Sequence, residues 1–434
     1  MRKLALAGAL LAATATCAAQ EAGVQLVHAG HLLDHPGRAM RGASTLVIRA
    51  GKVEAVHAGL LDAAGLGLPA DTRVVDLRDK YVLPGLIDSH VHLRSDLGGI
   101  EGMVEGFTES PAAGAFDALV NARKTLRAGF TTVRNLGDGG GVTLALRDAV
   151  AAGKVQGPRI LDAGAGISAQ TGHADQTLGL REELHSALDT HNLCSGADDC
   201  RRAVRQQIAR GTDVVKFAAT GGVNSRIGLG LGAQLFEDEI AAIIETAHLY
   251  GKKVAVHAHG NDGVALAARH GVDSVEHGTL MDDATARLMA ANKVFYVPTL
   301  STINGYKERL AANPNAYTGE VLKKIQWRID ITGQSLRIAR ANGVRIAYGT
   351  DAGVSKHGRN ADEFELLVQF GMTPGEAIEA ATVNAANLLG IADQVGTLEP
   401  GKVADLIAVD ADPLADVRVL KQVRYVMRAG QAVW

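Results

Sequence analysis

The sequence predicts an α/β protein built on a (β/α)₈ TIM barrel, with a small flanking β-domain made from both chain ends. From Tyr81 onward, short apolar runs alternate eight times with amphipathic helical patterns. Several of these patterns end in Gly and are followed at once by the next strand, as is typical of helix C-caps. Eight such alternations indicate a closed barrel. A doubly wound open sheet is the alternative, but it would not bring the ends of strands one, four, five, six and eight together.

The barrel prediction depends on the candidate strands and on the helical stretches between them. The candidate strands are "YVLPGLIDSHVH", "FTTVRNL", "RILDAG", "DVVKFA", "KVAVHAH", "DSVEH", "VFYVPT" and "VRIAYGTD". The helical stretches include "AFDALVNARKTLRAG", "DDCRRAVRQQIARG" and "FEDEIAAIIETAHLYG". Apolar residues make up 47% of the 434 residues, which is enough for a large core.

The two ends of the chain differ from this pattern. They contain short strands punctuated by Gly, as in "STLVIRAGKVEAVHAG" near the N-terminus and "GTLEPGKVADLIAVD" near the C-terminus. Neither end can bury a core alone, so we expect the two to form one split β-domain. The predicted division is a signal peptide at 1–19, the first part of the β-domain at 20–84, the barrel at 85–390 and the second part at 391–434.

The N-terminus has the layout of a secretory signal peptide. Arg2 and Lys3 precede a short apolar stretch, and "CAA" follows before Gln20. We expect cleavage after Ala19 and an exported protein, periplasmic or secreted. A lipid anchor on Cys17 is the alternative, although "TATC" lacks the usual Leu three residues before the cysteine. The apolar stretch is too short to span a membrane comfortably and no later segment looks transmembrane, so we expect no membrane association of the mature form.

Charge and cysteine content narrow the function class and the compartment. A net charge of −3 does not indicate the basic surface that nucleic-acid binding requires. Beyond the signal peptide the chain keeps Cys194 and Cys200, in "CSGADDC". Nearby cysteines of an exported protein commonly pair, which favours a small loop disulfide, and two free buried thiols are the alternative. The spacing fits no familiar zinc pattern.

Polar residues cluster at the C-terminal ends of the predicted strands, where barrels of this type carry their reactive groups. The first strand ends in "DSHVH" and the fifth in "VHAHG", and each presents two imidazoles on one face because alternate strand residues point the same way. The strand-end residues are His90, His92, Lys216, His257, His259, His277 and Asp351. Imidazoles and a carboxylate that converge on one point suit zinc or a similar divalent ion. A histidine considered alone is more often a core or surface residue, but five at equivalent strand ends argue against that interpretation.

Lys216, in "DVVKFAA", lies at the end of an apolar strand, where its ammonium would face a dicationic cluster. Desolvation and like charge both lower the pKa of such a lysine and favour the neutral amine. A neutral amine can take up carbon dioxide to become a carbamate, N6-carboxylysine, which is an anion able to bridge two metals. The alternative is a lysine that extends to solvent at the barrel rim.

Together these motifs resemble the amidohydrolase superfamily over essentially the whole mature chain. "PGLIDSHVHL" is similar to its first-strand signature and "GTDAG" to its final aspartate motif, and the combination of "GFTTVRNLGD", "TGHAD", "VHAHG" and "SVEHG" is similar to the exported Xaa-Pro dipeptidase and imidazolonepropionase-like branch. The resemblance implies two Zn²⁺ per chain (Co²⁺ or Mn²⁺ being tolerated by the same ligands), CO₂ for lysine carboxylation, and a ring-like homo-oligomer. The implied ligands are His90, His92, Lys216 and Asp351 for one ion and Lys216, His257 and His277 for the other.

The resemblance implies a metal-dependent hydrolase that cleaves the C-terminal amide bond of dipeptides or N-acyl amino acids carrying a free carboxylate. A metal-bridging hydroxide would attack the carbonyl, and Asp351 would accept its proton and pass it to the leaving amine. Alternative substrates are N-aroyl-phenylalanine amides such as ochratoxin A, and further alternatives are a cyclic amide, lactam or phosphotriester hydrolase. Lys216 argues against single-metal lactam hydrolases, which generally lack a lysine there. A degenerate barrel kept as an interaction scaffold would lack ligands, and none is missing here.

Several residues near the strand ends are candidates for substrate contact. His259 and His173, in "VHAHG" and "QTGHAD", are expected to divide two roles: one donates a hydrogen bond to the scissile carbonyl and the other meets a substrate carboxylate. The Gly-rich loop 220–230 carries Arg226, a candidate partner for that carboxylate, with a solvated loop arginine as the alternative. Tyr296 and His357 are further candidates at the rim.

Overall fold

The computed structural model describes residues 23–225 and 230–433. The predicted signal peptide, with Cys17, lies outside the described residues, and so does Arg226. No helix within the described ranges is long and apolar enough to cross a membrane.

The strands of the described residues fall into four sheets. They are β1 (Gln25–Leu32), β2 (Ser44–Arg49), β3 (Lys52–Ala58), β4 (Arg73–Pro84), β5 (Leu86–Val91), β6 (Phe130–Asn135), β7 (Arg159–Asp162), β8 (Ser168–Ala169), β9 (Leu193–Cys194), β10 (Val214–Ala218), β11 (Lys253–Ala258), β12 (Ser274–His277), β13 (Phe295–Val297), β14 (Arg345–Ile346), β15 (Leu406–Val409), β16 (Tyr425–Arg428) and β17 (Gln431–Ala432).

Helices fill most of the connections between strands, and several begin at a side-chain cap. Ser110 accepts the N–H of Ala113 at the start of α2, and Asp282 accepts that of Thr285 at the start of α8. The helices are α1 (Gly99–Thr108), α2 (Pro111–Arg127), α3 (Val142–Ala151), α4 (His185–Leu188), α5 (Ala197–Ala209), α6 (Glu237–Leu249), α7 (Asn261–Arg269), α8 (Asp283–Ala291), α9 (Thr302–Ala312), α10 (Gly319–Asp330), α11 (Gln334–Ala341), α12 (Asp362–Gln369), α13 (Pro374–Glu379) and α14 (Ala385–Leu389). Short 3₁₀ turns at Ala64–Leu66, Glu182–Leu184 and Val417–Lys421 and a π-helical turn at Ala380–Asn384 complete the helical segments of the described residues.

Eight parallel strands of the described chain close into the predicted barrel. They form two runs, β5–β6–β7 and β10–β11–β12–β13–β14. Parallel bridges join the runs at both seams: Val91 pairs with Ala352, beyond β14, and Ile167, beyond β7, pairs with Phe217 of β10. The structure therefore confirms the predicted fold class, and it brings the C-terminal ends of all eight strands to one rim.

Both ends of the chain meet in one mixed sheet beside the barrel. Its order is β17–β16–β15–β4–β1–β2–β3, so the three strands from residues 406–432 lie side by side and join the four strands from residues 25–84 where β15 pairs with β4. β4 runs parallel to β1 and antiparallel to β15, with Pro84 opposite Leu406. Part of this sheet has its own apolar cluster, whereas Leu83, Ile407 and Val426 belong to the barrel core. Because Gly85 alone separates β4 from β5, the sheet is anchored directly to the strand that carries His90.

A disulfide joins Cys194 of β9 to Cys200 of α5, with the Cα atoms 4.9 Å apart. Both cysteines are buried. The favoured loop disulfide is therefore present, and it fixes the end of the long connection between β7 and β10, part of which covers the barrel rim.

Candidate metal centre

The residues that follow β5 and β14 meet at the C-terminal end of the barrel. Nε2 of His90 lies 3.4 Å from Oδ1 of Asp351, and Nε2 of His92 lies 3.1 Å from the same oxygen. His90 and Asp351 are buried, whereas His92 is partly exposed. Two imidazoles and a carboxylate this close together suit a divalent cation.

A second group of imidazoles lies beside the first. The rings of His257 and His277 have centroids 4.6 Å apart, and the ring of His259 lies 4.9 Å from that of His277. Ligand atoms of His257, His259 and His277 all lie within 4.8 Å of one another, and so do those of His90, His277 and Asp351. The site therefore offers two overlapping sets of metal ligands.

The protonation state of these rings fits a metal ion. Burial lowers the pKa of His90 to about 4, and burial together with neighbouring imidazoles lowers the pKa of His257 and His277 well below the ordinary value. The three rings are neutral at pH 7, which is the form that binds metal. Nε2 of His257 is buried without a hydrogen-bond partner among the described residues. An unpaired buried nitrogen is costly, and a cation in the site would satisfy it.

Lys216 reaches the same site from the end of β10. Its side chain is buried, and its amine makes no hydrogen bond to any described residue. Burial lowers its pKa to about 8, although the carboxylates of Glu276 and Asp351 act in the opposite direction. With a pKa of about 8, roughly a tenth of the amine is neutral at pH 7, and this is the form that carbamate formation requires.

The inward-facing imidazoles are held from behind by buried polar groups. Nδ1 of His90 lies 2.8 Å from Oε2 of Glu276, whose other oxygen accepts a hydrogen bond from Arg134 at 2.9 Å. Nδ1 of His277 lies 2.7 Å from Oγ1 of Thr299. Contacts of this kind fix the ring orientation and leave Nε2 free to face the site.

The backbone is strained at two of the predicted ligands. His277 has φ 70° and Asp351 has φ 57°, in the left-handed region that L-residues rarely adopt. Gly353 has φ +122°, and a Cβ added there would lie 2.8 Å from Cβ of His92. Strain of this kind concentrates at functional sites, because the surrounding structure must hold it.

These residues line a cavity of ≈ 360 Å³, within the usual range for small-molecule sites. The connections after β6 and β7 contribute Gly137, Gln176 and Asn192 to its wall, whereas α9 and α10 contribute Tyr306 and Arg328. The cavity therefore has room for a small substrate beside the imidazole cluster.

The structure places two of the predicted substrate contacts in this cavity. His173 stacks on His257 with ring centroids 4.0 Å apart, and its Nδ1 lies 2.8 Å from Oγ of Ser225. His259 lies with Nδ1 2.8 Å from Oγ1 of Thr279. Burial lowers the pKa of both histidines, that of His173 to about 4, so both are neutral hydrogen-bonding groups at pH 7.

Two other predicted contacts do not line the cavity. Tyr296 is fully buried behind the site, where its hydroxyl donates to the carbonyl of His277 at 2.9 Å and contacts Ser335 at 2.7 Å. Nε2 of His357 lies 3.0 Å from the carbonyl oxygen of His92. Both side chains contact the backbone of predicted ligands rather than the cavity, and their polar atoms already have partners inside the protein.

Sequence reasoning missed Arg328 and Tyr306, which line the cavity. Both lie on helices after β13, away from any strand-end motif. The sequence does contain a signal for Arg328. The buried face of α10 consists of Val321, Ile325 and Arg328, so a cation occupies a position at which the helical period predicts an apolar residue.

Comparison with known proteins adds four findings. The model of the amidohydrolase family matches residues 81–433. Ochratoxinase of Aspergillus niger is 32% identical over 436 residues, which cover 95% of this chain and 87% of that protein. Imidazolonepropionase of Mesorhizobium japonicum is 28% identical over 424 residues, covering 93% and 91%. The crystal structure of a Xaa-Pro dipeptidase with bound methionine in its active site is 37% identical, with a TM-score of 0.88, and covers 94% of this chain and 99% of that one.

Proposed function

Because the chain belongs to the amidohydrolase family and is thus a metal-dependent hydrolase of amide C–N bonds, we propose that it releases the C-terminal amino acid from dipeptides or N-acyl amino acids. The observation that carries this proposal is the convergence of five imidazoles, Lys216 and Asp351 on one small buried cavity. Such a site combines metal ligands with a carboxylate that can move a proton.

Two divalent ions, which we propose to be zinc, would be held in this cluster, and His259 would remain for the substrate. The proposed ligands are His90, His92, Lys216 and Asp351 for one ion and Lys216, His257 and His277 for the other. When bound, they polarise the scissile carbonyl and lower the pKa of water towards neutrality. Lys216 would serve both ions as a carbamate: its neutral amine nitrogen adds to the carbon of CO₂, a C–N bond forms, and one amine proton leaves to solvent. The lowered pKa of Lys216 and the absence of a hydrogen-bond partner for its amine in the part of the chain that the structure describes support this role.

Asp351 is the group that moves the proton. Burial alone would raise its pKa, but His90 and His92 lower it to about 2, so the carboxylate is ionised at neutral pH. It accepts a proton from the attacking water at Oδ and donates it to the leaving nitrogen. The C–N bond breaks, the acyl carbon gains a hydroxyl oxygen, and the products are a carboxylic acid and an amino acid.

His173 is suited to hold the scissile carbonyl. Oγ of Ser225 accepts the N–H of Gly222 at 3.1 Å, so its hydroxyl proton is available for Nδ1 of His173. Nε2 of His173 then carries the ring proton and can donate it to an oxyanion in the cavity. His259 is the second such donor.

N-aroyl-phenylalanine amides such as ochratoxin A are the second candidate substrates. The similarity to ochratoxinase of Aspergillus niger over 95% of this chain favours them. They share with the first class a C-terminal amino acid joined through an amide, so one assay covers both. The disulfide between Cys194 and Cys200 supports export into an oxidising compartment, which we propose for this chain.

The experiment is a hydrolysis panel on the purified chain supplied with zinc and bicarbonate, containing Xaa-Pro, Xaa-Arg and N-acyl-Phe substrates. We expect release of the C-terminal amino acid from at least one class. Asp351→Asn is expected to lower kcat by about 10²- to 10⁴-fold while the circular dichroism spectrum is unchanged. If protein that holds two metals per chain hydrolyses none of these substrates, the proposed substrate class is wrong. Full activity of Asp351→Asn would overturn the role of Asp351.

A further inference from the structure

Arg328 is a buried cation without an anionic partner among the described residues. Its side chain belongs to α10, only 3% of the residue is exposed, and it lines the cavity of the metal centre. Its Nη1 donates to Oγ1 of Thr332 at 3.1 Å, and it forms no ion pair with any described residue. Because a guanidinium stays charged in proteins, the cavity carries a fixed positive charge that its own wall does not neutralise.

The nearest acidic groups are already engaged. Glu363 influences Arg328 electrostatically, but its two oxygens accept the backbone N–H groups of Leu300 and Ser301 at 2.9 and 2.6 Å. Asp351 contacts the imidazoles of the metal centre. An anion for Arg328 must therefore come from outside the described chain.

Tyr306 adds a second donor beside this charge. It is buried, lines the cavity, and its oxygen accepts a hydrogen bond from Asn224 at 3.2 Å. Burial raises the pKa of its hydroxyl, so the group stays protonated and keeps its own hydrogen to donate. A guanidinium and a hydroxyl that face one cavity form a receptor for a carboxylate.

Part of the wall around this receptor is apolar. Val223 and Tyr306 belong to an apolar cluster with Val321 and Ile325 of α10, against which Val354 packs. Val223 and Val354 also line the cavity. Low polarity strengthens a charge-assisted hydrogen bond, and it favours an apolar side chain next to the bound carboxylate.

We infer that Arg328 and Tyr306 bind the α-carboxylate of the leaving amino acid, and that this amino acid carries an apolar side chain. The inference rests on the proposed function, because it assigns the end of the substrate that lies beyond the scissile bond. Arg328 and Tyr306 line the same cavity as His259, His277 and Asp351, so the receptor lies beside the metal centre, as an α-carboxylate close to the scissile nitrogen requires.

The test compares free-acid substrates with their C-terminally amidated twins in Arg328→Met, which removes the charge but keeps an extended side chain. With N-acyl-Phe or N-acyl-Met, we expect kcat/KM to fall about 10- to 100-fold for the free acid and to change less than about threefold for the amide. Lys323→Met is the matched control, because it removes a cation from the same helix at an exposed position paired with Glu320. It is expected to leave both substrates unaffected.

A binding measurement separates failure of this inference from failure of the proposed function. Calorimetric titration with free phenylalanine and with phenylalaninamide needs no turnover, and we expect Arg328→Met to weaken binding of the free acid selectively. Equal effects on acid and amide, in either assay, would overturn the carboxylate receptor. If wild-type protein hydrolyses no member of the panel yet binds phenylalanine through Arg328, the substrate class is wrong and the receptor stands.

Two milder variants keep the test decisive if Arg328→Met does not fold. Tyr306→Phe retains the ring and its packing, and Arg328→Lys retains the charge but loses the paired N–H donors. Each is expected to lower kcat/KM for the free acid more than for the amide. An unchanged ratio of acid to amide in both folded variants would refute the assignment.

Discussion

Glu276→Gln tests whether one buried carboxylate contributes both to the metal affinity of the site and to the stability of the barrel. Glu276 is fully buried on β12, with one oxygen 2.8 Å from Nδ1 of His90 and the other 2.9 Å from Nη2 of Arg134. Ser274 donates to the second oxygen at 2.6 Å. Burial alone would raise the pKa of Glu276, but the adjacent Arg134 and His90 lower it to about 2, so the wild-type group is an anion.

The magnitude follows from these contacts. Glutamine has the same shape but no charge, so the variant leaves the buried guanidinium of Arg134 without a counter-ion, which costs about 3–5 kcal/mol of the free energy of unfolding. The variant also removes the carboxylate that fixes the ring of His90 with Nε2 towards the site. Loss of such a partner typically lowers metal affinity about 10- to 100-fold.

The assay measures both quantities on the same protein. Urea denaturation of the metal-free protein gives the free energy of unfolding, and competition with a chelator gives the zinc affinity. Asp405→Asn is the matched control, because Asp405 is a buried carboxylate that pairs with Arg159 at 3.1 Å in the contact between sheet and barrel. It is expected to lower stability and to leave zinc affinity within about twofold, since no ligand depends on it.

If Glu276→Gln alone does not fold, the double variant Arg134→Met, Glu276→Gln allows zinc affinity to be measured in a folded protein. It removes both charges, so most of the stability is expected to return, while zinc affinity stays low because His90 still lacks its carboxylate. Wild-type zinc affinity in the folded double variant would refute the reasoning and leave Glu276 as a counter-ion of Arg134 alone.

Three further predictions concern other parts of the structure. Lys216→Ala is expected to bind fewer metal ions per chain by elemental analysis, because it cannot form the carbamate, and two ions per chain would contradict that role. Replacing Cys194 and Cys200 by Ala is expected to lower the free energy of unfolding by about 2 kcal/mol under oxidising conditions, since the disulfide closes a loop of about 7 residues, and an unchanged urea midpoint would contradict this. Burial raises the pKa of Glu363 from 4.5 to about 7, so its stabilising contribution is fully present below pH 4.5 and is lost as the pH rises through 7. We expect this to remove about 3 kcal/mol, and Glu363→Gln should flatten the fall in stability measured between pH 5 and pH 8.

The barrel and the convergence of the candidate metal ligands could be predicted from the sequence because both depend on period and topology. Parallel strands that close into a barrel must bring their C-terminal ends to one rim, so polar residues at those ends must be neighbours. His90, Lys216 and Asp351 are far apart in sequence and still meet at one site.

The substrate-facing residues depend on features that period and topology do not determine. Tyr296 is close in sequence to a strand end, yet its hydroxyl points to the carbonyl of His277 behind the site. His357 likewise braces backbone at His92. Arg328 enters the cavity only because α10 folds back over the rim, and nothing local in the sequence specifies that path. The left-handed backbone conformation of Asp351 could not be predicted from the residue pattern either, because any L-residue is strained in that conformation.

The arrangement of α10 connects substrate recognition to the chemistry of the site. Lys324, one turn before Arg328, donates to the carbonyls of Gly222 and Ser225 at 2.9 and 2.8 Å. Ser225 in turn holds His173, the proposed donor to the scissile carbonyl. A carboxylate bound at Arg328 therefore stabilises the same helix that fixes the loop behind His173. On this geometry, loss of the carboxylate should lower kcat as well as raise KM, because binding energy at one end of the substrate also orders the group that acts on its carbonyl.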